Sequence, residues 1–169
     1  MTGRRTALQA LVILTTALIQ VCVVNRIPLP AGRPDLMVLV VIAFALVGGP
    51  QQGAAVGFAA GLTVDLLPPA DHLAGRFAFA YTLIGYFAGQ LEDAEENSVV
   101  ATILVVAVGA AVSVLLYAGV GALISDPRIT PRIVAHVLIA TVVYDVVLAP
   151  FVVPLVSAAS RRLEPAGPR

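Results

Sequence analysis

Gly53-Ala54-Ala55-Val56-Gly57-Phe58-Ala59-Ala60-Gly61-Leu62-Thr63-Val64-Asp65 is the stretch that decides how this chain folds. Glycines recur at intervals of four, and an aspartate takes the next step of the same interval. Helical residues four apart stack on one face, so Gly53, Gly57, Gly61 and Asp65 form a smooth strip ending in a carboxylate. Small residues in such a strip let another helix backbone come close, which is how many helices associate in lipid. Asp65 continues the strip and therefore points at a protein neighbour, not at lipid. The stretch reads as a helix packed against another inside a membrane.

Composition agrees. The chain has 169 residues, 59% of them hydrophobic and only 12% charged, with a mean hydropathy of +0.97. A soluble domain of this size would lack the polar surface to cover itself. A formal net charge of zero and the lack of a basic stripe give no argument for nucleic acid. The single cysteine, Cys22, excludes an internal disulfide, and its apolar context reads as a small buried hydrophobe. Arg4 and Arg5 before the apolar run from Thr6 to Val24 imitate a secretory signal. That run exceeds the usual signal core and has no small-x-small cleavage site, so it reads as an uncleaved first span.

A spanning helix needs about 20 apolar residues. Polar and proline-rich breaks divide the chain into six candidates, about 6–24, 35–47, 51–67, 73–91, 97–124 and 131–157, in one transmembrane domain over residues 1–169. The connectors are short, which predicts antiparallel neighbours. The second candidate is the shortest, and Gly48-Gly49-Pro50 ends it sharply, which allows a shallow or broken helix. Loop charge leaves orientation undecided: five arginines fall on the terminal side (4, 5, 161, 162, 169) and five on the other (26, 33, 76, 128, 132). The acidic cluster of Glu92, Asp93, Glu95 and Glu96 adds little to that rule.

Polar residues within spans need a reason, since a carboxylate at the bilayer centre costs on the order of 2.5–3.5 kcal/mol. Asp145, beside Tyr144 and ahead of Pro150 and Pro154, reads as a hydrogen-bonding knot or a partner-facing group near a kink. Asp65 reads as a packing and loop anchor or a recognition group. Gly85 and Gly89 form another small-residue face, and so do Gly109, Ser113, Tyr117 and Gly121. Tyr81, Tyr86 and Phe87 read as core or interfacial anchors.

No catalytic set emerges. Intramembrane aspartyl enzymes need two carboxylates sharing a proton. Tyr144-Asp145 resembles half of a presenilin-like signature, but Gly61-Leu62-Thr63-Val64-Asp65 does not supply the other half, and the motifs of lipoprotein signal peptidase are absent. His72 and His136, with Asp71 or Asp65, match no metal-ligand spacing. The chain is expected to be neither an enzyme nor a metal or cofactor carrier.

Arg33-Pro34-Asp35, the Gly57–Leu67 stretch, then Gly75-Arg76-Phe77-Ala78-Phe79-Ala80-Tyr81 and Gly85-Tyr86 together resemble the MreD family of rod-shape-determining proteins. Asp35 stands where that family's Pro-Asn/Asp opens the second span. Tyr144-Asp145-Val146-Val147-Leu148-Ala149-Pro150 is similar to its last-span pattern, with Asp145 where the family often has Asn. The resemblance implies an all-α six-transmembrane-helix bundle, similar to the substrate-binding subunits of energy-coupling-factor transporters. It implies a non-enzymatic scaffold of the cell-elongation complex in the bacterial plasma membrane, with both termini cytoplasmic. The implied partners are MreC by direct helix packing, and RodA, a class B penicillin-binding protein and MreB through the complex, with lipid around the bundle. The rival is a vitamin-binding transporter subunit, against which stand the lack of Trp and Lys and the few polar groups within the spans.

Overall fold

The computed structural model describes residues 2–67, 75–92, 98–127 and 129–162. Among the described residues there are five helices: α1 (Thr2–Cys22), α2 (Leu36–Leu66), α3 (Arg76–Gly89), α4 (Val99–Leu123) and α5 (Pro131–Arg161). A single 3-10 turn, Val24–Arg26, follows α1, and no strand occurs among the described residues. Among the described residues, four helical segments are long and apolar enough to cross a membrane: Gly3–Arg26, Leu36–Leu66, Val99–Leu123 and Pro131–Arg161. The chain is a multi-pass helical membrane protein.

Among the described residues five helices stand where six spans were expected, because candidates 35–47 and 51–67 fall in α2. The helix is nevertheless broken between them. Gly49 has φ 76° and ψ −177°, a backbone conformation open to glycine, and Pro50 follows at a position where its missing N–H costs nothing. The chain reverses there. A Cβ placed on Gly53 would lie 2.7 Å from the Cβ of Ala45, whereas eight residues of unbroken helix span about 12 Å. The two arms therefore lie side by side.

The first arm, whose short apolar run allowed a shallow or broken helix, lies at the centre of the bundle. Every residue from Met37 to Leu46 is at most 2% exposed. A helix apolar on all sides is one surrounded by protein or lipid, and here protein surrounds it: Ile13 and Ala17 of α1, Ile84 of α3, Val106 of α4 and Ala149 and Val153 of α5 share its core. The lipid-facing shell carries the other large apolar groups, such as Leu11, Leu104, Phe151 and Leu155, all more than half exposed.

Helix ends follow local chemistry. Asp35, Ser98 and Thr130 cap α2, α4 and α5, each accepting a backbone N–H from the third residue onward, and Pro131 opens α5. Gly75, at φ 102°, turns the chain into α3.

Candidate functional site

Five helices converge on the Pro34-Asp35 corner. Asp35 Oδ2 accepts the hydroxyl of Tyr81 in α3 at 2.7 Å and that of Ser113 in α4 at 3.4 Å, while Oδ1 accepts Val38 N–H at 3.3 Å. The Asp35 N–H donates to Asp145 Oδ1 of α5 at 2.8 Å. Gln20 of α1 bridges the same corner, its Oε1 accepting Leu36 N–H at 3.1 Å and its Nε2 donating to Pro34 O at 2.9 Å. Thr141 donates to Arg33 O at 3.2 Å, and Tyr144 to Pro30 O at 3.2 Å. Buried backbone polar groups must find partners, and in a proline-rich segment these side chains supply them. Asp145 is thus turned inward, at 0% exposure.

Beside this corner lies a cavity of about 420 Å³, lined by polar Gln20, Asn25 and Asp35 and by the rings of Phe77, Tyr81 and Tyr117. Gln20, Asp35, Ser113 and Thr141, from four different helices or their caps, thus line one cavity.

Asp65 has a different task. Its Oδ2 accepts Gly75 N–H at 2.8 Å and Ala78 N–H at 3.0 Å, and its Oδ1 accepts Phe77 N–H at 3.2 Å. The first amides of a helix lack intrahelical partners and attract negative charge, so the end of α2 caps the start of α3. Asp65→Ala is expected to lower stability by about 1–3 kcal/mol, the cost of leaving buried donors unmet. Thermal melting in detergent checks this, with Asp65→Asn falling between parent and Ala.

Arg76 adjoins that cap and is 3% exposed. Its Nη1 pairs with Asp126 at 3.0 Å, its Nη2 donates to Tyr117 O at 2.8 Å, and its guanidinium lies 3.9 Å from the Tyr117 ring centroid. The Tyr117 ring also lies 4.7 Å from that of Phe77. This clamp ties α3 to the end of α4.

The glycine strip meets α3, antiparallel and in strict register. A Cβ on Gly53 would collide with Gly85 O, one on Gly57 with Tyr81 O, and one on Gly61 with the backbone of Phe77 and Ala78; Gly89 meets Gly49 and Pro50 in the same way. Each step of four along α2 is matched by a step of four back along α3. The strip expected to face a companion span is filled from within the chain.

The structure thus brings Asp35, Tyr144 and Asp145 to one corner, and Gly53, Gly57, Gly61, Gly85 and Gly89 to one seam that Asp65 closes. Asp65 and Asp145, weighed above as a carboxylate pair, hold different elements. Among the described residues no cluster of three or more potential metal ligands occurs. His72 and Asp71, like the loop 68–72 and the acidic residues 93–96, lie outside the described residues. Sequence reasoning missed the roles of Gln20, Arg76, Asp126 and Thr141. A glutamine in an apolar run and an arginine at the mouth of a span were signals, but neither names its distant partner.

No curated protein and no solved structure matches the chain. The family model described as rod shape-determining protein MreD matches residues 4–159, covering the glycine seam, the arginine clamp and the Asp35 corner alike. With nearly the whole chain matched, this multi-pass protein of the bacterial membrane belongs to the MreD family of rod shape-determining proteins.

Proposed function

We propose that the chain is a non-enzymatic scaffold of the cell-elongation complex, holding the single membrane span of MreC and through it supporting peptidoglycan synthesis by RodA and its class B penicillin-binding partner along MreB filaments. Family membership supports this, and one structural feature supports a place for the contact. Between α3 and α4 runs a lipid-side groove of about 370 Å³, lined by Ile84, Phe87, Leu91, Leu104, Val108 and Gly109 among others. It follows about two turns of each helix. Such a groove suits close helix packing in lipid.

In this reading the two arms of α2 and helix α3 each cross the bilayer with α1, α4 and α5. That gives six passes, in an arrangement like the substrate-binding subunits of energy-coupling-factor transporters. Both termini then lie in the cytoplasm, and the Asp35 and Asp65 end faces outward. Co-purification from membranes tests the scaffold: MreC is expected with the parent chain and depleted at least severalfold with Leu104→Trp and Val108→Trp. Both substitutions fall on exposed side chains and fill the groove. Equal recovery of MreC with both would refute the assignment.

The cavity beside Asp35 favours the second reading, a vitamin-binding transporter subunit. Stabilisation by a vitamin, with no co-purified MreC, would decide for it.

A further inference from the structure

We propose that the cavity beside Asp35 binds a small zwitterion, its ammonium seated on Asp35 and its anionic group on Arg33. The cavity, at about 420 Å³, has the size of a ligand site, and both Arg33 and Asp35 line it. Asp35 is satisfied only by neutral donors, the Tyr81 and Ser113 hydroxyls and Val38 N–H. Behind it stands a second carboxylate, Asp145, which receives the Asp35 N–H and whose Oδ2 has no partner. Among the described residues neither carboxylate is paired with a cation, and Arg33 is paired with no anion. Arg33 and Asp35 flank Pro34, which favours an extended backbone at Arg33. Both residues line the cavity, and neither is ion-paired with the other.

A carboxylate without a cation beside apolar walls is costly; a ligand ammonium would relieve Asp35 while the anionic group reaches the exposed Arg33. Arginine forks onto phosphate or carboxylate. The aromatic rings of Phe77 and Tyr81 offer further attraction for an ammonium. Phosphoethanolamine has this chemistry, either free or as the headgroup of a lipid entering from the bilayer. The inference does not depend on whether MreC occupies the groove between α3 and α4.

The test is thermal melting of the purified full chain in detergent, titrated with O-phosphoethanolamine and separately with dihexanoyl-phosphatidylethanolamine. A rise of a few degrees is expected with at least one probe, and none with glycerol phosphate, which lacks the ammonium. Stabilisation by the lipid alone assigns the bilayer as the source; stabilisation by both shows that the headgroup suffices. Arg33→Ala removes an exposed side chain and is expected to weaken binding about tenfold. Asp35→Asn should abolish it, and Arg33→Ala keeps the test decisive should the Asn variant fail to fold. No shift with either probe, an equal shift with glycerol phosphate, or unchanged binding to Arg33→Ala would overturn the proposal.

Discussion

Gly57→Ala is expected to abolish recovery of a monodisperse protein, although the change adds a single methyl group. The new Cβ would sit against the carbonyl oxygen of Tyr81, with the carbonyl carbon at 2.6 Å and Thr82 N at 3.0 Å. All three are backbone atoms of α3, so no rotamer can relieve the clash. Overpacking that side chains can absorb costs about 1–3 kcal/mol; here the helices must separate along the whole seam, and the expected cost exceeds that range. Gly119→Ala is the control, since nothing lies within 4 Å of a Cβ there. Size-exclusion chromatography and melting in detergent should show the Gly119 variant like the parent and the Gly57 variant aggregated. A normally folded Gly57→Ala would mean that α2 and α3 do not touch in this register.

Arg76→Ala carries the second large effect. The guanidinium joins Asp126, the Tyr117 carbonyl and the Tyr117 ring in one buried place. Removing one member of a buried ion pair costs about 3–5 kcal/mol. The Asp126 side chain is 16% exposed and gains some relief from water, which points to the lower end of that range. The double variant Arg76→Ala with Asp126→Ala should lose less stability than the two single losses added together. Full additivity in that melting cycle would show that the pair does not interact.

The particular residues explain how far the sequence could be read. The Gly53–Gly57–Gly61–Asp65 strip announced close helix packing because its spacing alone fixes a face. The break at Gly48-Gly49-Pro50 was equally legible, since a glycine before a proline stops a helix wherever it occurs. What filled the strip was not legible: α3 and a foreign helix offer the same small-residue chemistry, and only the closed fold shows Gly85 and Tyr81 in place. The central position of the first arm of α2 was hidden for a related reason. Valine and leucine facing lipid and facing protein are equally apolar, so hydropathy cannot separate a core helix from a peripheral one. Asp35 and Asp145 lie 110 positions apart in sequence and Arg76 and Asp126 lie 50 apart, distances across which no periodicity operates. The individual polar residues stood out; their pairing is a property of the fold.

With the glycine seam closed from within, the proposed seat of the partner span is the groove between α3 and α4. A photoreactive amino acid at Val108, in that groove, compared with one at Phe151, on the exposed face of α5, tests this in growing cells. The account predicts a cross-link to MreC from position 108 and none from 151. Cross-linking from 151 with none from 108 would contradict it.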